Sequence, residues 1–160
     1  HPKESMWKLI PRKLMPPTRK VRYCCEILKE RGGVGRIVVT GIRAKESSRR
    51  SKRTMFESCN KYKHKWYLNP IIDWEEVDVW EYIRREGLKY CTLYDQGYKR
   101  LGCIMCPMAG AKGQLKDAKK YPKYYQAYLR AFDNMLKFRE ERGLKTTWKT
   151  AQDVMDWWIK

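Results

Sequence analysis

The side chains best equipped for chemistry are four cysteines in two pairs. Cys24 and Cys25 are adjacent, and Cys103 and Cys106 bracket Ile104 and Met105 in Gly-Cys-Ile-Met-Cys-Pro. Thiolate is a soft donor suited to zinc and to iron–sulfur clusters, and two pairs satisfy either a tetrahedral ion or the four irons of a cube. Zinc sites usually draw on pairs spaced by two or more residues. Neighbours on a helix instead project about 100° apart, a spread better suited to two irons of one cluster, with zinc as the alternative. Disulfides are the weaker reading, because adjacent cysteines on a helix do not easily bond to each other. Cys59 and Cys91 read as small buried hydrophobes.

The elements that must position these groups follow from periodicity. Glu4 to Leu14 reads as a helix interrupted by Pro11. Over Arg19 to Glu30 the apolar residues Val21, Tyr23, Cys24, Ile27 and Leu28 recur at near-helical spacing until Gly32-Gly33, which places the first cysteine pair on a helix. Arg36 to Thr40 holds the β-branched run Ile37-Val38-Val39, expected as a buried strand ending at Gly41. Further strands are expected near Met55 to Ser58 and from Trp66 to Ile72. A helix starts with Asp73 as N-cap and Glu76 three residues on. Tyr90 to Gly113 reads as a loop carrying the second cysteine pair. One long helix is expected over 116–142, with Tyr121, Tyr124, Tyr125, Tyr128 and Phe132 on its core face, and a last one starts at Thr150 with Asp153 closing its capping box.

The chain has 160 residues, 42% of them hydrophobic, enough for a packed core without disulfide staples. No run of about 18 apolar residues is present and the start has no signal-type stretch, so a cytoplasmic protein with no membrane partner is expected. The net charge of +18 favours a polyanionic partner, either nucleotide phosphate or sulfate, or nucleic acid. Lys116, Lys119 and Lys120 read as a solvated face. The basic stretch with Arg49, Arg50, Lys52 and Arg53 stays open between a solvated loop and a nucleic-acid contact.

Cys24-Cys25 and Cys103-Ile-Met-Cys106 together resemble the signature of iron–sulfur assimilatory adenylyl-sulfate reductases within the phosphoadenosine phosphosulfate reductase family. Three ordered segments add to the resemblance: Arg22-Tyr-Cys-Cys-Glu-Ile-Leu-Lys29, Gly41-Ile-Arg43-Ala-Lys-Glu46-Ser47-Ser-Arg-Arg50, and Asn69-Pro70-Ile-Ile-Asp73-Trp74 leading into Val79-Trp80. The resemblance covers about Glu4 to Phe132. It implies an α/β fold of adenine-nucleotide α-hydrolase-like type, with a partial parallel sheet and a helical C-terminal tail, divided as 1–142 for the reductase-like part and 143–160 for the tail. It also implies a [4Fe-4S] cluster on Cys24, Cys25, Cys103 and Cys106, an anionic nucleotide substrate, and a thiol or another electron donor as partner.

In that family the Gly-x-Arg-x-x-Glu-Ser segment lies near the phosphosulfate. The resemblance therefore assigns substrate oxyanions to Arg43, Ser47 and Arg50, with Glu46 orienting the arginines and Lys99 and Arg100 adding positive charge beside cluster and ligand. Guanidinium forks suit phosphate and sulfate geometry. Two family features are absent from this chain: the Ser-Gly-Gly-Lys-Asp-Ser-type nucleotide loop, expected upstream of His1, and a cysteine nucleophile after Cys106. The expected function is binding of a sulfonucleotide or adenylated substrate next to the cluster, for reductive or transfer sulfur chemistry. Sulfur modification of DNA or RNA on a related fold, or a zinc-stabilised nucleic-acid-binding module, are the alternatives.

Overall fold

Short amphipathic helices with apolar residues three and four apart must pack on one another to persist, and they do so in one of two units. The structure, a computed structural model, describes residues 2–99 and 101–160. The chain divides into one unit of His1–Arg31 with Leu101–Lys160 and another of Gly32–Arg100.

In the first unit, α1 (Met6–Lys13) keeps Pro11 inside the helix rather than being interrupted by it, with Leu9, Ile10 and Pro11 buried. The helix closes soon afterwards at Leu14, whose φ of 55° ends it and whose N–H donates to the Pro11 carbonyl at 3.1 Å. α2 (Tyr23–Cys25) is one short turn that widens into a π-helical turn over Glu26–Glu30.

The single helix expected over 116–142 is two helices, α4 (Gly110–Lys120) and α5 (Pro122–Glu141), separated at Tyr121. Proline disfavours the α region in the residue before it and has no N–H to continue the ladder. Tyr121 accordingly leaves helical geometry at φ −127°, ψ 63°. α6 (Ala151–Trp158) starts where the sequence indicates. Thr150 Oγ1 accepts from the Asp153 N–H at 3.1 Å, and Asp153 Oδ2 accepts from the Thr150 N–H at 2.8 Å.

The core of this unit joins Ile10, Met105, Tyr128, Ala131, Phe132, Met135, Val154, Met155 and Trp158. The α5 members follow helical spacing, and a fully buried residue such as Phe132 contributes roughly 1.5–3 kcal/mol. Of the expected aromatic face, Tyr128 and Phe132 are buried while Tyr124 is exposed. The Trp158 indole is satisfied as it is buried, donating Nε1–H to the Pro17 carbonyl at 2.6 Å.

The second unit holds a three-stranded sheet of order β1-β3-β2, formed by β1 (Ile37–Val39), β2 (Phe56–Ser58) and β3 (Trp66–Leu68). β1 runs parallel to β3 with Val38 opposite Tyr67, and β2 runs antiparallel with Glu57 opposite Tyr67. The expectation of a buried β1 is corrected here. Successive strand residues face opposite sides, and Ile37 and Val39 are 59% and 65% exposed whereas Val38 is half-buried. On the exposed side Phe56 stacks on Trp66, with centroids 5.3 Å apart and planes at 3°.

Gly33 sets the entry to β1. Its φ is +78°, and a Cβ there would run into Val38 Cγ2, so only glycine suits the turn. Asn69 is fully buried and fastens the sheet. It accepts from Thr40 Oγ1 at 2.5 Å and donates Nδ2–H to the Thr54 carbonyl at 2.8 Å and to Glu57 Oε1 at 3.0 Å.

α3 (Glu76–Arg85) begins two residues later than the sequence indicates, with Glu75 rather than Asp73 as N-cap; the Glu75 N–H donates to Asp78 Oδ2 at 2.7 Å. Residues 71–73 are held in a turn instead, the Trp74 N–H bonding the Ile71 carbonyl at 3.1 Å. The architecture is thus mixed α/β with a small parallel and antiparallel sheet and a helical C-terminus, consistent with the adenine-nucleotide α-hydrolase-like type. No helix among the described residues is long and apolar enough to cross a membrane.

Candidate metal centre and anion-binding loop

All four paired cysteines belong to the first unit. Cys24 and Cys25 sit at the end of α2, fixed from below by buried Tyr23, whose hydroxyl donates to the Met15 carbonyl at 2.5 Å. Cys24, Cys25 and Cys106 are half-buried and Cys103 is exposed; all four are free thiols. The Cys106 N–H donates to the Cys103 carbonyl at 3.1 Å, closing the Cys103–Cys106 turn, and Pro107 starts a 3-10 turn over Pro107–Ala109.

Two cations address the sulfurs directly. Arg22 Nη2 donates to Cys25 Sγ at 3.3 Å, and Lys29 Nζ donates to Cys103 Sγ at 3.2 Å across 74 residues of sequence. The hydrogen bond to Cys25 raises the Arg22 pKa above its ordinary value, and the hydrogen bond to Cys103 does the same for Lys29. Burial, followed by the neighbouring Cys25, pushes the Cys24 thiol up to about 11. Burial also holds Tyr128 well above the usual phenol range, with Cys103 and Cys106 adding to it. Tyr128 therefore keeps its proton, which points at the Ile104 carbonyl at 3.4 Å.

The donor chemistry fits a thiolate-bound group: four sulfurs in one unit, with positive charge aimed at two of them. Among the described residues, no three of His, Cys, Asp and Glu gather as a metal-ion site. Four thiolates suit tetrahedral zinc, and they equally suit a cube with one thiolate per iron.

The sequence singled out neither Arg22 nor Lys29 for a role. Both lie in the Arg22–Lys29 segment that carries the first pair, so proximity to Cys24-Cys25 was the available signal. Lys29 meets Cys103 because the widened turn and the distant loop come together in three dimensions. Of the other thiols, Cys59 is half-buried, and Cys91 is exposed rather than buried as the sequence suggests.

In the second unit the segment after β1 forms a compact basic loop. The Ala44 N–H donates to the Ile72 carbonyl at 2.7 Å, tying the loop to the chain beyond β3, and Ala44–Glu46 makes one 3-10 turn. Arg43, Glu46, Ser47 and Arg50 come together there. The Glu46 carboxylate pairs with Arg50 Nη1, lies 3.8 Å from Arg43 Nη2, and accepts from the Arg43 N–H at 3.4 Å. Ser47 Oγ accepts from the Arg50 N–H at 3.3 Å. Among the described residues no acceptor is found for its own hydroxyl proton, and the Arg43 and Arg50 guanidinium groups in the same loop make a charge-assisted donor set for an oxyanion. Lys99 is exposed, and among the described residues no hydrogen bond or ion pair ties it to this loop. Arg100 lies outside the described residues.

Residues 3–109 match the phosphoadenosine phosphosulfate reductase domain. Two uncharacterized proteins of Methanocaldococcus jannaschii are similar: MJ0066 is 28% identical over 91% of this chain and 31% of its own length, and MJ0973 is 31% identical over 79% and 32%. The adenosine 5'-phosphosulfate reductase of Salinibacter ruber is 30% identical over 72% of this chain and 44% of its own length. The chain thus spans between about a third and under half of these relatives. No solved structure gives a significant match. With most of its length matched by that domain, the chain belongs to the phosphoadenosine phosphosulfate reductase family.

Proposed function

We propose that this chain is the cluster-bearing part of a protein that binds a sulfonucleotide or another adenylated substrate and carries out reductive or transfer sulfur chemistry, with residues 143–160 as its helical tail. Cys24, Cys25, Cys103 and Cys106 would hold a [4Fe-4S] cluster. The observation that carries this reading is the pairing of Lys29 with Cys103 and of Arg22 with Cys25, at 3.2 and 3.3 Å. Cations placed on two sulfurs offset the negative charge of a thiolate donor set, an arrangement that plain buried thiols would not need.

When bound, the cluster supplies a fixed anionic, polarisable group at the site. The chain's own residues bind and orient. Arg43 and Arg50 present guanidinium forks to phosphate or sulfate oxygens, the Glu46 carboxylate holds both forks in place, and Ser47 donates one hydrogen bond. Lys99 adds positive charge, and Arg100 is assigned with it on the resemblance. A nucleophilic cysteine after Cys106 is absent, so no covalent sulfur intermediate is assigned to this chain. The net charge of +18 supports a second reading, sulfur modification of DNA or RNA, which shares the cluster and the oxyanion loop.

Metal analysis of anaerobically purified protein tests the cluster. The expected result is brown protein with about four irons per chain, lost in Cys106→Ser. Colourless protein with one tightly held zinc refutes the cluster and leaves zinc in its place. For the loop, binding of adenosine 5'-phosphosulfate should fall on Arg43→Ala and Arg50→Ala; unchanged binding removes the loop from the site.

A further inference from the structure

The turn between the second pair of cysteines is held in an unfavourable backbone conformation, and the side chains that hold it come from α4. Met105 has φ +57° although it is not glycine. The left-handed region costs a residue with a Cβ about 1–2 kcal/mol and persists only where the surroundings over-determine it. At Met105 every group is engaged. Its N–H donates to Asp117 Oδ2 at 2.8 Å, its carbonyl accepts from Gln114 Nε2 at 3.3 Å, and its side chain is fully buried in the core with Ile10 and Phe132. Gln114 is itself only 2% exposed. A buried amide is costly unless it is hydrogen-bonded, and the Met105 carbonyl satisfies it.

Asp117 and Gln114 are three residues apart, so they share one face of α4, and both reach the backbone of Met105. Asp117 lies among Lys116, Lys119 and Lys120, where sequence suggests a solvated charge, yet its carboxylate turns to the loop.

We propose that Asp117 and Gln114 are positioning residues that set the directions of the Cys103 and Cys106 thiols before any metal arrives. They bond the two peptide units that flank Met105, between the two ligands, and the bonds described for them reach neither ligand sulfur. Groups of this kind, one step removed from the metal, orient the donors and limit the motion the ligands must lose on binding. The proposal rests on the assignment of Cys103 and Cys106 as ligands, and its test has one arm that needs no metal.

In the full chain, Asp117→Ala removes the acceptor and Asp117→Asn keeps an acceptor oxygen without the charge. In metal-free protein the Met105 amide should exchange with solvent at least about tenfold faster in Asp117→Ala than in wild type, and within about threefold of wild type in Asp117→Asn. After anaerobic reconstitution with iron and sulfide, Asp117→Ala should lose iron to a chelator about 10–100-fold faster, and Asp117→Asn should again stay close to wild type. An equally protected Met105 amide in Asp117→Ala overturns the clamp. So does Asp117→Asn losing iron as fast as Asp117→Ala, since charge rather than the acceptor would then be the operating feature. Should Asp117→Ala not fold by circular dichroism, Gln114→Met removes only the donor to the carbonyl; iron loss at the wild-type rate in that variant overturns the proposal. If the wild-type chain takes up no iron, the cluster reading fails, and the exchange rates alone decide the clamp.

Discussion

Replacing Lys29 by Met keeps an unbranched stem of similar length and removes the charge that stands 3.2 Å from Cys103 Sγ. Two unit charges at that distance interact by about 1.3 kcal/mol at the dielectric of water and about 5 kcal/mol at an effective dielectric of 20. Lys29 is exposed, so solvent screens the pair and the lower figure applies. About 1.3 kcal/mol is close to a factor of ten in an equilibrium constant. The expected result is that Lys29→Met holds its metal about tenfold more weakly, measured by chelator competition on anaerobically loaded protein. Lys29→Arg should remain within about threefold of wild type because the charge is kept. Arg22→Gln removes the charge 3.3 Å from Cys25, a different sulfur. The double variant should therefore approach a hundredfold, as independent sites add. The difference between Lys29→Met and wild type should shrink in about 1 M salt, where the screening length falls to about 3 Å. Retention of metal within twofold of wild type in Lys29→Met refutes the reasoning, as does equal weakening by Met and Arg. The argument concerns thiolate charge, so it applies whether iron or zinc is bound.

Two further predictions concern the scaffold. Gly33→Ala places a Cβ at φ +78° against Val38; the left-handed penalty of about 1–2 kcal/mol is the minimum destabilisation, read from urea unfolding, and a loss below about 0.5 kcal/mol would count against the turn described. Asp153 sits below its ordinary pKa of 3.8 because the backbone N–H groups of Thr150 and Lys149 donate to it. A depressed carboxyl contributes stability that is present above its unfolded pKa and lost as pH falls through its folded one. Asp153→Asn should therefore unfold at lower temperature than wild type at neutral pH, with the gap closing in acid below about pH 4; a gap independent of pH would rule this out.

What could be read from the chain was whatever depends on neighbours in sequence. Thr150 with Asp153 predicts the start of α6 because both halves of the cap lie within four residues. The break at Tyr121 is not legible in the apolar pattern, which runs through it as one helix over 116–142; only the steric demand of proline on the preceding residue divides the helix. The burial of β1 was misjudged because a β-branched run specifies an extended strand and not what covers its faces. Asp117 shows the same limit in the site. Three nearby lysines make it look solvated, and its bond to the Met105 N–H depends on where the Cys103–Cys106 turn lies.

The sequence by itself determined the donors: thiol pairs of a type and spacing that suit a soft metal group, and the ordered motifs that place the chain in its family. Only the tertiary structure decided how those donors are served. Lys29 reaches Cys103 across 74 residues, and Met105 is held left-handed by α4. Ligand identity is a property of single side chains, whereas compensating charge and imposed backbone geometry require groups remote in sequence to meet within hydrogen-bonding distance, which packing alone fixes.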